Sequence, residues 1–128
     1  MRAQSNPRGR CGEDYAARWL ERQGCRVLER NWRCPEGEVD IIVLSGELIC
    51  FVEVKTRLPD SYGPPPEAVD RRKRRRLARC AERYLFLHPD CGAFQPRFDV
   101  AGVLLGAGEN PPILSFSYLP GAFTCDDL

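Results

Sequence analysis

The run Gly37-Glu38-Val39-Asp40-Ile41-Ile42-Val43-Leu44-Ser45-Gly46-Glu47-Leu48-Ile49-Cys50-Phe51-Val52-Glu53-Val54-Lys55-Thr56 decides the fold. Its two halves, Glu38 to Leu44 and Glu47 to Thr56, are rich in Val, Ile and Phe, and Ser45-Gly46 between them is a tight-turn pair. That is the pattern of a β-hairpin. With Ser45-Gly46 as the two-residue turn, Asp40 faces Phe51. Glu53 is then its diagonal neighbour on the same sheet face, with Cα atoms roughly 7–8 Å apart. Lys55, two residues beyond Glu53, projects to that face as well. Ile41, Val43, Val52 and Val54 take the opposite face and read as plain core. A slip of one residue would separate Asp40 from Glu53, so the turn carries the inference.

Two carboxylates and an ammonium at one end of otherwise apolar strands admit two readings. One is a cross-strand ion pair at a solvated sheet margin. The other is a magnesium site, because Mg²⁺ takes oxygen ligands and is held by one or two carboxylates plus water and substrate phosphate. A lysine beside it can orient the attacking water and screen charge growing on the phosphorane. Asp followed by Glu-x-Lys on the next strand is what metal-assisted phosphodiester hydrolysis needs. Mn²⁺ would serve in place of Mg²⁺.

Outward from the hairpin, Ala16, Ala17, Trp19 and Leu20 recur at helical spacing over Gly12 to Gln23, with Gly24 as C-terminal cap. Glu13 shares the inward face with Ala17 and Leu20, an odd place for a carboxylate. Cys25 to Trp32 reads as a short strand, Pro35-Glu36-Gly37 as a turn and Arg57 to Pro66 as a loop. A second helix is expected from Glu67, with Pro66 in its first turn and Val69, Leu77, Ala81, Tyr84 and Leu85 on its apolar stripe, ending near His88-Pro89. Arg97 to Leu105 and Ile113 to Leu119 complete the strands. The order α-β-β-β-α-β-β predicts an α/β fold, a mixed central sheet flanked by helices. Residues 11–123 form one domain, between a flexible basic arm at 1–10 and a tail at 124–128.

The chain's 128 residues suffice for one such core, and its 43% apolar and 29% charged content is that of an ordinary globular protein. Disordered and fibrous classes are excluded. No apolar run approaches the roughly 18 residues of a membrane span, and the basic start of the chain has no apolar region behind it that would make a signal peptide. Seven cysteines without C-x-x-C spacing, with His88 as the one histidine, argue for reduced, buried thiols in the cytoplasm rather than a zinc site. If a metal is bound, its ligands are oxygens.

Charge is segregated. Arg71 to Arg83 holds eight basic residues against Glu82, a net +7, which leaves the rest at −6 within a chain of net +1. Such a block, without the i, i+4 acids that would neutralise it, is costly unless a polyanion attends. Arg72, Lys73, Arg75, Arg76 and Arg79 are the candidates for nucleic-acid contact, with Arg83 expected to spread outward beside them. No aromatic residues interleave with them, so backbone contact to duplex or branched DNA is expected rather than base readout. Lys55 and Lys73 are the only lysines among 19 basic residues, a hint that these two positions require an ammonium.

Asp40, then Glu53-x-Lys55 on the adjacent strand after an N-terminal helix, resembles the restriction-endonuclease-like nuclease superfamily. More closely, the chain resembles the YraN-like family of bacterial proteins from about residue 9 to about 123. The likeness rests on Gly12-Glu13, Ala16, Arg30-Asn31, Gly37-Glu38-Val39-Asp40, Phe51-Val52-Glu53-Val54-Lys55-Thr56-Arg57, Lys73 and Arg97-Phe98-Asp99-Val100. The resemblance implies an α-β-β-β-α-β core and a site of Asp40, Glu53 and Lys55, with the Val54 carbonyl as a further metal ligand. It also implies that Glu13 completes the acidic cluster, as a helix-one glutamate does in related archaeal junction resolvases. Arg57 and Lys73 would clamp phosphates.

The expectation is thus a Mg²⁺-dependent endonuclease acting on duplex or branched DNA, with no membrane partner; formation of a homodimer is left open. The rival is a DNA-binding or scaffolding module that keeps the fold without turnover. His88 is expected to cap a helix end, and Trp19 and Trp32 to lie in or at the edge of the core. Asp99 is open between pairing with Arg97 or Arg57 and a catalytic role.

Overall fold

Gly24 shows how the chain leaves its first helix. It takes φ 89°, and the Cys25 N–H turns back to donate to the Leu20 carbonyl at 3.0 Å, the glycine-capped exit that the sequence predicts. The computed structural model describes residues 7–58 and 71–124. They form α1 (Pro7–Arg22), β1 (Arg26–Cys34), β2 (Gly37–Ser45), β3 (Leu48–Arg57), α2 (Arg71–Leu87), a short 3₁₀ turn (Pro89–Cys91), β4 (Gln95–Leu105) and β5 (Ile113–Phe123). The strands make one mixed sheet in the order β1-β2-β3-β4-β5. Every neighbouring pair is antiparallel except β3 and β4, whose parallel pairing requires the connection that carries α2.

The helices take opposite faces of this sheet. Ala16, Ala17 and Leu20 of α1 pack on Ile41, Val43, Cys50 and Val52, with Val54 against them. Leu77, Cys80, Ala81 and Tyr84 of α2 pack on Ile42, Ile49, Phe51 and Phe98. The alternation read from the hairpin therefore holds over its paired part: Ile41 and Val43 of β2 and Cys50 and Val52 of β3 are core under α1, whereas Val39, beyond Asp40, joins Ile42 in the core under α2. Trp19 lies against Phe116 and Tyr118, and Trp32 against Tyr84, both at the core margin as expected. His88 closes α2, its Nδ1–H donating to the Tyr84 carbonyl at 2.9 Å while its ring stacks on Tyr84.

Several boundaries differ from the sequence reading, β4 for example starting at Gln95 rather than Arg97, and four of the differences bear on the packing. Helix α1 begins at Pro7 rather than Gly12, which takes the last four residues of the expected 1–10 arm into the helix. Strand β1 continues past Trp32 to Cys34, because Arg33 and Cys34 pair with Glu38 and Gly37 around the Pro35-Glu36 turn. Strand β5 runs on to Phe123, which stacks on Phe98. The hairpin turn is Gly46-Glu47, not Ser45-Gly46: Ser45 pairs with Leu48, and Gly46 takes φ 59°. A glycine at the first central position is what the primed hairpin turns want. Phe51 consequently opposes Ile42 and not Asp40. The shift is an even number of residues, so the paired side chains, Ile41 to Ser45 and Leu48 to Val52, keep their faces. The expected helix start at Pro66, Glu67 and Val69, and most of the preceding loop, lie outside the described residues.

Asp99 is resolved as structural. Its carboxylate is fully buried and receives two bonds from Arg97, at 2.9 and 3.1 Å, one from the Tyr118 hydroxyl, and one from the Gly121 N–H at 2.9 Å. Burial and the adjacent Asp99 charge push the Tyr118 hydroxyl far up, so it stays a donor. This node pins the end of β5 to β4. Asp99→Asn, which keeps the shape but halves the acceptor capacity, is expected to cost about 1–3 kcal/mol, read as a lower urea midpoint with unchanged slope. Unaltered stability would remove the node from the account of the fold. Among the described residues, no helix is long and apolar enough to cross a membrane.

Candidate active site

The sheet forks in the middle of the hairpin. Strands β2 and β3 pair from Ser45 with Leu48 as far as Ile41 with Val52, and stop there. Beyond that point β2 stays with β1 down to Gly37, while β3 stays with β4 up to Arg57. Asp40 and Glu53 are the first residues past the fork. Asp40 bridges it: its Oδ2 accepts the Val54 N–H at 2.8 Å, a backbone donor with no rung of the β2–β3 ladder left to meet. The fork is why an acid interrupts an apolar strand here.

The carboxyl of Asp40 sits in an unfavourable field. Burial, above all, raises its proton affinity well over the ordinary carboxylate range; the charges of Glu53, Glu13 and Glu38 add to this, and the Val54 N–H opposes it. Glu13 reaches the site from α1 and is 9% exposed, which makes it and Asp99 the buried acids of the described chain. Its approach depends on Gly12, where an added Cβ would overlap the Thr56 Oγ1 on β3. The Gly12-Glu13 pair thus has a packing reason: the glycine lets the helix sit down on the strand, and the glutamate follows into the interior.

Lys55 Nζ lies 3.6 Å from Glu53 Oε1. Its pKa is lowered, first by burial and then by the ammonium of Lys73 beside it, against the pull of Glu53. The two lysines of the chain therefore meet at one place, one from β3 and one from α2. A cleft of about 130 Å³ opens between Lys73 and the hairpin end, lined by Gly37, Glu38, Glu53, Lys73, Arg76 and Leu77. Sequence reasoning misses Glu38 as a site residue. The signal for it is its place two residues before Asp40 on the same strand; it pairs with Arg33 at 2.8 Å.

Of the expected nucleic-acid contacts, Arg72, Lys73, Arg75, Arg76 and Arg79 lie exposed on α2, and Arg57 is half-buried at the end of β3. Arg83 departs from expectation. It is committed to Glu36 by two hydrogen bonds of 2.5 and 2.7 Å, which tie α2 to the β1–β2 turn. Arg74 also turns inward, over the ring of Phe123. The six described cysteines are free, with Cys34 and Cys80 in Sγ–Sγ contact at 3.3 Å. Among the described residues no group of three or more His, Cys, Asp or Glu is disposed around one metal position. The donor set that does converge, Asp40 with Glu53, is all carboxylate oxygen and electrostatically unsatisfied; it suits a hard cation that needs one or two protein carboxylates and keeps its waters.

A helix, a three-stranded meander that forks at an Asp/Glu-x-Lys cluster, a crossover helix and a final strand pair define an α/β domain with a nuclease-like core. The chain belongs to the family described as "Uncharacterised protein family UPF0102", which matches residues 12–103. It is similar to a UPF0102 protein of Beutenbergia cavernae, 52% identical over 75% of this chain and 80% of that one. It is likewise similar to those of Myxococcus xanthus, 44% identical over 90% and 87% of the two chains, and Moorella thermoacetica, 46% identical over 91% and 94%.

Proposed function

We propose that this protein is a metal-dependent endonuclease that hydrolyses phosphodiester bonds of duplex or branched DNA. The observation that carries the reading is the fork: two carboxylates and two ammonium groups gathered where β2 and β3 part, beside a helix whose first six residues, Arg71 to Arg76, are all basic. A structural ion pair at a sheet margin would need one acid and one base, not an acid whose proton affinity is raised by burial and by three neighbouring carboxylates. Asp40 and Glu53, with the Val54 carbonyl, would hold Mg²⁺ or Mn²⁺, and Glu13 would add negative field from behind. Such a cation, when bound, supplies Lewis acidity and a water ready to ionise near neutral pH.

The chain's own groups do the rest. Arg72, Arg75 and Arg76 meet phosphates along the backbone, and Lys73 and Arg57 hold the phosphate at the cleft. Lys55 presents a compact positive charge, held at the hairpin by Glu53, to the oxygens that gain charge in the transition state. Incubating the full-length protein with labelled linear, nicked, flapped and four-way DNA, in Mg²⁺, Mn²⁺ or EDTA, tests the proposal. Cleavage that EDTA abolishes supports it, and no cleavage of any substrate in either metal would overturn it. The non-catalytic binding module is favoured by one observation, the lack of a third acid around a common metal position among the described residues. It predicts DNA binding in all three conditions without products.

The basic helix makes a separate prediction. Replacing Arg72, Arg75 and Arg76 together by glutamine should weaken binding evenly across sequences. The slope of log K against log salt should fall by about 0.9 for each duplex phosphate that is no longer neutralised. Titrations at several salt concentrations measure this; an unchanged slope returns the helix to an ordinary solvated face.

A further inference from the structure

The two halves of α2 differ in chemistry. Its first six residues are cations without an acid among them. Its second half exposes an aromatic ring: Phe86 is 80% exposed, the most exposed large apolar side chain of the described chain, and Leu87 beside it is 54% exposed. Phe86 forms one wall of an open pocket of about 460 Å³ lined by Glu36, Arg79, Glu82 and Arg83. The charges there balance. Arg83 and Glu36 are joined to each other as the floor, and Arg79 and Glu82 stand on neighbouring turns of the same helix. Neither the Arg79 nor the Glu82 side chain has a hydrogen bond or ion pair among the described residues, and Phe86 meets no other ring there.

A neutral pocket with a bare ring at the end of a polycationic rail fits a part of a polyanion that is itself uncharged and flat. We infer that the C-terminal half of α2 is a stacking site for an unpaired nucleobase. Phe86 provides the face, Arg79 takes the adjoining phosphate, and Glu82 is placed to accept from an exocyclic amine. Arg79 and Phe86 are seven residues apart, on one side of the helix at two turns' separation, about 10 Å along its axis. The rail leads from the cleft at Lys73 and Arg76 to this pocket, so a strand engaged at the fork and frayed beyond it would present its first unpaired base to Phe86. This inference rests on the nucleic-acid reading above and narrows it, toward DNA with a single-stranded portion next to duplex.

The test compares wild type with Phe86→Ala and Phe86→Trp in EDTA, where no strand is cut, by fluorescence anisotropy on a labelled 20-mer, its duplex and a flapped duplex. Since the Phe86 ring stands in solvent, alanine should leave the thermal melt unchanged. It should weaken single-strand and flap binding about 5- to 100-fold and leave the plain duplex within about twofold, with tryptophan restoring the loss. Equal affinity of Phe86→Ala and wild type for all three DNAs overturns the stacking site and leaves the nuclease reading in place. So does an equal loss on all three. Wild-type protein that binds none of them overturns both. Sedimentation on the same samples covers the other occupant: a wild-type dimer that Phe86→Ala dissolves would make this ring a self-association surface and overturn the inference.

Discussion

Asp40→Asn is expected to abolish cleavage and, in the absence of divalent metal, to make the protein more stable. The two effects have one cause. Asp40 is half-buried at the fork among Glu53, Glu13 and Glu38, and its proton affinity is raised well above the ordinary value of 3.8. Below pH 3.8 the group is protonated in both folded and unfolded chains and carries no penalty. As pH rises past that value the unfolded chain ionises while the folded carboxyl resists, so stability falls until the raised folded pKa is passed. Once the pH exceeds the raised folded value the whole penalty is present. Asparagine removes it, and its side-chain oxygen still accepts the Val54 N–H. Each kcal/mol recovered should appear as a rise of about 3–6 °C in the melting temperature for a chain of this size. Activity should move the other way, by about 10³-fold or more, since a metal's contribution to the transition state is several kcal/mol. Mg²⁺ or Mn²⁺ should raise the melting temperature of wild type and not of Asp40→Asn. A variant that melts below wild type in EDTA would show that the carboxylate is a structural partner rather than a charge awaiting a cation.

The same competition between local pattern and tertiary context decides how much of the molecule is legible in its sequence. Alternation along β2 and β3 can be read because both faces of the hairpin are covered by helices, so each residue's side is fixed by burial. The turn is easily misplaced by one residue because Ser45-Gly46 and Gly46-Glu47 both place the glycine centrally. Only its φ of 59° and the Ser45–Leu48 pairing separate them. Asp40 and Glu53 are visible as acids on apolar strands, but the reason for their meeting is not, since a fork in a sheet has no local signature. Asp99 is ambiguous for a related reason: Tyr118 and Gly121, which fix it, lie 19 and 22 residues away. Arg83 looks like one more cation of a run until Glu36, 47 residues earlier, is found against it. Composition names the charges; topology decides which of them face solvent.

Lys55 offers the sharpest separation of an enzyme from a binder. It stands between Glu53, 3.6 Å away, and the ammonium of Lys73. If its charge serves the reacting phosphate, Lys55→Ala should leave the melting temperature and the affinity for DNA and Mn²⁺ close to wild type. The loss should fall on single-turnover cleavage, by about 10²–10³-fold, the usual cost of deleting one preorganised donor that meets developing charge. Lys55→Arg should recover little of that rate, because a planar guanidinium cannot place a compact charge at the same point. If Lys55 instead only balances Glu53 at the sheet margin, arginine should substitute well. Alanine should then lower the melting temperature without slowing chemistry, and by little, since both side chains keep a fifth or more of their surface in solvent. Lys73→Ala is the internal control. It removes the other ammonium at the cleft and should weaken DNA binding along with rate, which Lys55→Ala should not. A stable Lys55→Ala protein that binds DNA and cuts it at the wild-type rate would end the catalytic assignment of this lysine, and leave Asp40 and Glu53 to account for any turnover without it.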